Sequence, residues 1–393
     1  MKILFVTYDL PYPLDAGGKV RAFNLIRELS RENEVTLFSY YRDNSQLSYV
    51  DELRKYCANV HLFKRVAAFS LRHMVNTVLH LGLTAHISHY YHPGLNQELD
   101  KELKTGTYGL LHLESFYTSH LLGDYDITQV LGTENIEWKI YQGHSETKAF
   151  MSRFPLQLET LRTRMFEQSS WNKADALLAV CPSDRATICE HTTKPVYEIP
   201  NGVDIDYFRY ETPSIDVDKL KFLYVGDYAY IQNQDAVSWL LAGIYPALKA
   251  IYPESTLTIV GKNIPKNLGL NLDSGVAIKR EVEDIREEYA KADILLAPLR
   301  ISSGTQFKIL EAMATGVIVL TTPIGLEGLN AKPRRELVVF KNENDVVSAI
   351  ENILKSQNTV EEISRRAREL VEKEYSWNMI GSKLRSIYNN LVK

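Results

Sequence analysis

Short runs of apolar residues recur along the chain and alternate with stretches of helical periodicity. The first run, residues 3–7, is continuous, which is typical of a parallel strand covered on both faces. A proline-rich loop, a Gly17-Gly18 pair and a helical pattern from Val20 to Leu29 follow it. Similar runs lie at residues 35–39, 60–63, 110–113, 128–131, 176–179 and 196–199. This alternation predicts a doubly wound parallel sheet.

A second series of apolar runs begins after a break at residues 199–204 and a polar stretch to Lys219, which is typical of a linker. These runs lie at residues 222–225, 256–260, 276–279, 294–296, 317–320 and 337–340. A chain of 393 residues is long enough for two or three domains, each with its own core. We therefore predict an α/β protein with two Rossmann-like domains in tandem.

The stretch 297–316 contains the strongest motif. Its pattern predicts the end of a buried strand, a Ser/Gly loop and a helix over about residues 305–314. Ser302 or Ser303 is the expected N-cap, and Gly316, just past the last apolar position, is the expected C-terminal glycine.

The start of this helix has the features of an anion site. Backbone N–H groups at Gly304, Thr305 and Gln306 are expected to be free there, where the helix dipole favours negative charge. Lys308 and Glu311 are three residues apart and share a helical face. A cation beside a phosphate and a carboxylate that accepts from two sugar hydroxyls would suit a nucleotide diphosphate.

Arg300 follows the preceding strand and is a candidate second cation. For each of these side chains an ordinary structural explanation remains open. Arg300 could form a surface ion pair, Lys308 could be an exposed helix lysine, and Glu311 could be a solvated carboxylate. The Gly17-Gly18 pair could form a tight turn or allow the backbone to approach a sugar or diphosphate closely.

Composition changes this picture little. The net charge of −4 and ordinary charged fraction of 24% do not indicate a nucleic-acid-binding protein. The three cysteines lack CxxC spacing, which favours a reducing compartment. The first apolar run is too short for a signal sequence, and the longer apolar runs stay below a membrane-spanning length. We expect a cytoplasmic protein.

The segment 64–92 is basic, apolar and rich in histidine. Its histidines are His73, His80, His86, His89 and His92. Carboxylates and cysteines are not interleaved with them, so the pattern favours an amphipathic helix, solvated or at a membrane interface, over a metal site.

The stretch 297–316 resembles the signature of retaining glycosyltransferases of family 4, in the variant G-T-R-x-K-x-x-E-A-M-A. The resemblance implies the GT-B fold, in which two Rossmann-like domains face each other across a cleft. Residues 1–205 would form the acceptor-side domain and residues 206–375 the nucleotide-sugar domain. The last helix, within residues 376–393, would cross back onto the first domain.

The same resemblance assigns further donor contacts. Gly17 and Gly18 would lie against the donor, and Asn201 would border its site from an Asn-Gly-Val-Asp loop. Gly226 begins a loop similar to the family's Gly-x-Met-x-x-x-x-Asn version, and the loop 279–284, with Val282, would form a wall for the base.

The chain also departs from the family pattern. Many relatives have two glutamates eight positions apart; Glu311 would bind the ribose, but Ser303 stands at the first position, beside Gly304 and Thr305. Gln306 replaces a frequent arginine. In these relatives the first glutamate contacts the transferred sugar, so the donor sugar is left open.

The stretch 131–138 resembles a strand-end loop whose histidine lies near the reacting sugar, and Glu134 occupies that position. Its carboxylate could bind a sugar hydroxyl, stabilise positive charge at the anomeric carbon, or indicate lost activity. His112 and Glu114 end another strand and could point toward the cleft, although His112 could equally be a core histidine.

The resemblance thus implies a retaining glycosyltransferase without cofactor or metal, with Glu134, Lys308 and Arg300 as the catalytic set. It would transfer sugar from a nucleotide-diphosphate donor, with UDP favoured, to a glycan or lipid-linked acceptor in surface or exopolysaccharide synthesis. Attack would come from the front face, with the leaving phosphate helping to deprotonate the acceptor. Two alternatives stay open: a UDP-sugar 2-epimerase-like enzyme, and an inactive nucleotide-sugar-binding partner. Segment 64–92 is a candidate for peripheral contact with the inner face of a membrane.

Overall fold

The structure, a computed structural model, describes residues 1–66, 84, 86–146, 150–266, 268, 275–301 and 304–392, with only the backbone at 144–146 and 150–155. The chain divides into two compact units. Unit 1 comprises Met1–Pro200 and Ile380–Lys393, and unit 2 comprises Asn201–Met379. Each unit contains a parallel sheet and an apolar core.

The described residues of unit 1 form a seven-stranded parallel sheet in the order β3-β2-β1-β4-β5-β6-β7. Its strands are β1 Lys2–Thr7, β2 Glu34–Tyr41, β3 Asn59–Lys64, β4 Leu110–Glu114, β5 Thr128–Thr133, β6 Ala176–Ala179 and β7 Val196–Glu198. Ile3 pairs with Val35 on one side and with Leu110 on the other. The apolar residues of β1, from Ile3 to Val6, are fully buried because helices cover both faces of the sheet, and this burial explains the continuous apolar runs.

Helices within the described part of unit 1 connect these strands. They are α1 Gly17–Leu29, α2 Val50–Leu53, α3 Pro93–Lys104, α4 Glu137–Glu146, α5 Phe150–Lys173 and α6 Pro182–Cys189. Short 3₁₀ helices lie at Asn44–Tyr49, Ile87–Tyr90 and Phe116–Leu121.

The described residues of unit 2 form a six-stranded parallel sheet in the order β10-β9-β8-β11-β12-β13. Its strands are β8 Lys221–Val225, β9 Thr256–Val260, β10 Val276–Lys279, β11 Ile294–Ala297, β12 Ile318–Thr321 and β13 Val338–Val339. Its helices are α7 Ile231–Trp239, α8 Tyr245–Ile251, α9 Arg286–Ala290, α10 Phe307–Thr315, α11 Pro323–Glu327, α12 Glu343–Leu354 and α13 Gln357–Leu370. A 3₁₀ helix lies at Val217–Lys219, and π-helical turns lie at Leu240–Ile244 and Val371–Tyr375. The final helix is α14 Trp377–Leu391, whose residues from Ile380 onward belong to unit 1.

The predicted strands and the doubly wound parallel topology are confirmed in both units. In each sheet the order of the strands reverses at one point, between β1 and β4 in unit 1 and between β8 and β11 in unit 2. Sheets of this kind bind ligands beyond the carboxyl ends of the strands at such a reversal. These two places are therefore where functional side chains are expected.

Candidate active site

The reversal point of unit 2 contains the motif that the sequence singled out. Helix α10 begins at Phe307, with Gln306 as its N-cap residue, so the predicted cap at Ser302 or Ser303 was wrong. Those two serines lie outside the described residues, and so does the predicted donor contact of Ser303.

The late start of α10 has a tertiary cause. Gly304 has φ +70°, outside the helical region, and its carbonyl oxygen would lie 2.3 Å from a Cβ added at Gly328. The amide of Asn201 donates to the carbonyl of Thr305 over 3.1 Å. These contacts hold the segment ahead of the helix, so Gly304 and Thr305 precede the first turn instead of forming it. The structure nevertheless brings together Asn201, Gly304 and Thr305, three of the residues predicted to contact the donor.

Gly316 ends α10 in the left-handed region, with φ +95°, as the sequence predicted. A Cβ at this position would also lie 2.2 Å from the carbonyl oxygen of Glu211. Glycine is therefore required here by both backbone conformation and packing.

Lys308 is buried rather than exposed, with 7% of its surface accessible. Its Nζ lies 2.6 Å from Oδ1 of Asn233 and 4.6 Å from the ring centroid of Tyr224. Burial lowers the pKa of Lys308 to about 7, and the nearby Glu311 carboxylate partly opposes that shift. The amino group of Lys308 is thus held in place by an amide oxygen and an aromatic face.

Glu311 lies one turn further along α10, close enough for its charge to act on Lys308. The hydroxyl of Tyr289 donates to its Oε2 over 2.7 Å. Burial raises the pKa of Glu311, while the Tyr289 hydrogen bond and Lys308 lower it. Sequence reasoning did not find Tyr289, which lies 22 positions earlier on α9.

The loop after β8 packs against this pair. A Cβ at Gly226 would lie 2.8 Å from the side chain of Asn233, whose amide donates to the carbonyl of Asp227 over 2.8 Å. The backbone approaches even more closely at Gly261, just after β9, because a Cβ there would lie 1.8 Å from the carbonyl oxygen of Gly226. The two glycines let the strand-end loops close on Asn233, which in turn holds Lys308.

Arg300 forms the surface ion pair that the sequence left open. Its guanidinium makes two hydrogen bonds to Asp235, at 3.0 and 2.6 Å, and lies 5.1 Å from the ring of Trp239. Its side chain is half exposed. Val282 is half-buried and packs against the core of unit 2.

In unit 1, Gly18 and Glu134 lie together. The hydroxyl of Tyr8, just after β1, donates to Oε2 of Glu134 over 3.2 Å. A Cβ at Gly18 would lie 2.2 Å from that hydroxyl and 3.0 Å from both carboxylate oxygens of Glu134. Gly17 is the first residue of α1. Gly18 thus allows the start of α1 to approach the Glu134 carboxylate closely.

Burial raises the pKa of Glu134 to about 8, and the neighbouring Glu114 carboxylate adds to the shift. The pKa of Glu114 shifts in the opposite direction. Burial opposes its ionisation, but the Arg21 guanidinium at 2.7 Å and the hydrogen bond from His112 outweigh it and lower its pKa to about 2. A fixed negative charge therefore lies behind Glu134.

His112 is a core histidine, which was one of its two predicted roles. It is fully buried, stacks on Phe5 with ring centroids 4.1 Å apart, and hydrogen-bonds Glu114 and Tyr388. Arg21 also donates to the carbonyl of Ile199 over 2.9 Å. Sequence periodicity did not identify Arg21 as a buried ion-pair partner.

Two further buried carboxyls follow Glu134. Burial raises the pKa of Glu137 to about 7, and Tyr117 donates to its Oε2 over 3.4 Å. Glu167 accepts from the backbone N–H groups of Glu137 and Trp138, both at 3.2 Å, and so caps α4. Its distance of 30 positions from Glu137 concealed this cap from sequence reasoning.

Residues 67–83 and 85 of the basic segment, with His73 and His80, lie outside the described residues. Of the others, His86 stacks on Tyr141 with centroids 4.6 Å apart, and His92 caps α3 by accepting from the N–H of Leu95. Within the described ranges, histidines, cysteines and carboxylates do not form a cluster of three that could hold a metal ion. Every described helix is too short or too polar to cross a membrane.

The part of the chain that carries these residues matches a known family. The model of the family described as "Glycosyl transferases group 1" matches residues 219–356, which include the Gly226 loop, Lys308 and Glu311. An "Uncharacterized 44.6 kDa protein in cps region" of Klebsiella pneumoniae is 22% identical over 98% of both chains.

Solved structures with similar folds cover nearly the whole chain. Sucrose-phosphate synthase from Thermosynechococcus elongatus superposes with a TM-score of 0.73 at 16% identity, over 100% of this chain and 99% of the other. HepE of Anabaena, solved in complex with UDP-glucose, gives a TM-score of 0.67 at 13% identity, over 99% of this chain and 100% of the other. The fold is GT-B. Within unit 2, the stretch that carries the motif is similar to the "Glycosyl transferases group 1" family.

Proposed function

We propose that this protein is an enzyme, a retaining glycosyltransferase that uses a nucleotide-diphosphate sugar, with UDP favoured over GDP. Its acceptor would be a glycan or lipid-linked precursor in surface or exopolysaccharide synthesis. Support for the donor comes from the similarity of fold to HepE, whose structure contains UDP-glucose. Support for the pathway comes from the Klebsiella relative named for a cps region.

The observation that carries the proposal is the arrangement of Lys308 and Glu311 at the reversal point of unit 2. Lys308 is held by Asn233 from the β8 loop, and Glu311 is held by Tyr289 from α9. A cation at the strand reversal suits a diphosphate, and a buried carboxylate one turn further suits the two ribose hydroxyls. Both side chains are fixed by neighbours before a ligand binds.

The chemistry follows from charge development. As the glycosidic bond to the diphosphate breaks, its oxygens gain negative charge, so fixed donors beside them stabilise the transition state more than the ground state. Lys308 would supply positive charge, with Arg300 and the Gly304–Thr305 backbone as further candidates. We propose that these protein groups act without a metal ion or cofactor. Retention would follow from front-face attack, with the leaving phosphate accepting the acceptor proton.

Glu134 is the proposed catalytic group of unit 1. Its carboxyl group is held by Tyr8 beside the start of α1, with the Glu114 charge behind it. We propose that it contacts a hydroxyl of the reacting sugar. We also propose that the protein is cytoplasmic and that segment 64–92 contacts the inner face of a membrane peripherally.

The first test is ligand binding. Thermal shift with UDP, GDP, ADP and their sugars should show the largest stabilisation with UDP species, because a ligand that binds the folded state raises its apparent stability. Lys308→Ala and Glu311→Ala should reduce the shift. Lys355→Ala and Glu351→Ala, at exposed positions of unit 2, are the matched controls. Unchanged shifts in both site variants would refute the site assignment.

The second test is product analysis. UDP-sugars are incubated with lipid-linked and glycan acceptors, and the anomeric configuration of the product is read by NMR. Transfer with the donor configuration kept supports the proposal. An altered nucleotide sugar formed without acceptor would indicate the epimerase alternative, and binding without turnover would indicate the inactive partner.

A further inference from the structure

An exposed aromatic–arginine stack lies in unit 2 outside the residues discussed so far. The guanidinium carbon of Arg286 lies 4.0 Å from the ring centroid of Tyr207. Both oxygens of Asp284 accept from Nε of Arg286 at 2.9 Å, and the Tyr207 hydroxyl lies 3.4 Å from Oδ1 of Asp284. The pair is fixed, yet Tyr207 keeps 42% of its surface exposed and the Arg286 side chain 45%.

The stack is connected to Glu311 through aromatic packing. Phe208, next to Tyr207, packs edge-on against Tyr289 with ring centroids 6.0 Å apart, and the hydroxyl of Tyr289 donates to Glu311. The Glu311 carboxylate is near enough to contribute to the raised pKa of Tyr207, after burial and Asp284. The stack is thus a near neighbour of the proposed ribose site.

The direction of the stack from Glu311 also fits a nucleoside. The proposed diphosphate site lies at the β8–β11 reversal in the middle of the sheet. Asp284 belongs to the loop after β10, the edge strand two positions from β8, at the same carboxyl end of the parallel sheet. A nucleotide with its phosphates at Lys308 and its ribose at Glu311 would extend its base toward that loop.

We infer that Tyr207 and Arg286 form a stacking platform for the base of the nucleotide donor. This inference rests on the proposed function and adds two residues outside the expected base wall at 279–284, on which the base would stack. An aromatic ring and a guanidinium plane both present flat faces on which a heteroaromatic base stacks. Asp284 is committed to Arg286, so it fixes the platform and does not read the edge of the base.

A platform of this kind recognises the ring and not its hydrogen-bonding edge. It should therefore contribute similarly to UDP and GDP binding, and it should contribute nothing to the binding of inorganic pyrophosphate, which has no base. A purely structural role for the stack would leave the binding of all three ligands unchanged.

The experiment is calorimetric titration of the full chain with UDP, GDP and inorganic pyrophosphate. We expect Tyr207→Ala and Arg286→Ala each to raise the Kd for UDP and GDP about 10-fold or more. The Kd for pyrophosphate should stay within about 2-fold of the wild-type value. Tyr207→Phe, which keeps the ring, should stay within about 3-fold of the wild type. Arg209→Ala is the matched control, since Arg209 is exposed on the same segment and bonds only a backbone carbonyl in the described contacts.

The outcomes separate the two proposals. If the wild type binds UDP or GDP and Tyr207→Ala binds it equally well, the platform is refuted and the proposed function stands. The platform is also refuted if the variants bind pyrophosphate more weakly to the same extent as they bind the nucleotides. If the wild type binds none of these nucleotides, the proposed function is refuted and the platform with it.

Discussion

Individual buried charges are the most informative residues of this protein. Lys308, Glu311 and Glu134 all lie where burial works against their charged forms, and each is held by a polar partner from another element. Groups with pKa values shifted toward neutrality cluster at functional sites, because such groups can change charge or hydrogen bonding during a reaction. Two predictions follow from single side chains.

The affinity for UDP should fall as the pH rises above about 7. Burial lowers the pKa of free Lys308 to about 7, whereas a bound diphosphate favours the ammonium form, so binding above pH 7 requires proton uptake. UDP itself is fully ionised there, since its terminal phosphate has a pKa near 6. Calorimetry should therefore show a Kd about 50-fold weaker at pH 9 than at pH 7, the increase expected from one coupled proton.

Lys308→Met supplies the control for this dependence. It should bind UDP more weakly at pH 7 and show a nearly flat profile up to pH 9. A slope in the variant equal to that of the wild type would assign the proton to a different group.

At Glu134 the pKa of about 8 means that the neutral acid predominates at pH 7. Glu134→Gln keeps a neutral hydrogen-bonding group and should retain turnover within about 3-fold, whereas Glu134→Ala should lose about 100-fold in kcat. The KM for the donor should change by less than about 3-fold in both variants, because the contact acts on the transition state.

The pH profile gives an independent measure of the same residue. Wild-type kcat should decline as pH rises through about 8, where Glu134 loses its proton, and Glu134→Gln should lack this decline. Equal kinetics for wild type and Glu134→Ala would make the residue structural.

Strand ends and glycines position these side chains. The loops that carry the candidate site follow β1 and β5 in unit 1 and β8 and β11 in unit 2, and glycines allow these loops to close on side chains. Gly18 shows this in unit 1, where the start of α1 approaches Tyr8 and Glu134 more closely than any other residue type would permit.

Gly18→Ala should destabilise unit 1 by about 1–3 kcal/mol, because the added methyl group overlaps the Tyr8 hydroxyl. Chemical denaturation measures the loss. Adding Tyr8→Phe to the same chain removes the overlapping atom and should recover part of the stability. Gly109→Ala, whose Cβ would meet only ordinary contacts at 3.5 Å or more, should change stability by less than about 0.5 kcal/mol. No recovery in the double variant would show that the hydroxyl is not the cause.

Unit 1 combines two segments that are distant in sequence, residues 1–200 and 380–393. Residues from Ile380 onward return to unit 1, where Arg385 on α14 donates to the carbonyl of Glu28 over 2.7 Å and contacts its buried carboxylate. Tyr388 on the same helix hydrogen-bonds His112 in the core. Unit 1 is therefore completed only when the last residues of the chain are in place.

Arg385→Ala should lower the stability of unit 1 by about 2–4 kcal/mol, because Glu28 would lose a charged partner in a buried site. Hydrogen exchange should show faster opening of β1 and no change in β8. Arg365→Ala removes an exposed i,i+4 pair with Glu369 and should cost less than about 0.5 kcal/mol. Equal loss of protection in both units would contradict this assignment.

Local features of the sequence were sufficient for the strands, the parallel topology, the Gly316 helix end and the spacing of Lys308 and Glu311. Each depends on apolar runs, backbone preference or helical periodicity, which act over a few residues. The start of α10 could not be read in this way, because Asn201 and Gly328 hold Gly304 and Thr305 outside the helix through contacts distant in sequence.

The partners of the charged groups were likewise decided only by folding. Asp235 lies 65 positions from Arg300, Asn233 lies 75 positions from Lys308, and Arg21 lies 93 positions from Glu114. The sequence identified which residues carry charge, since that is a property of the side chain. Whether each charge meets water, a counter-charge or an aromatic ring depends on which distant segments pack beside it, and only the tertiary structure settles that.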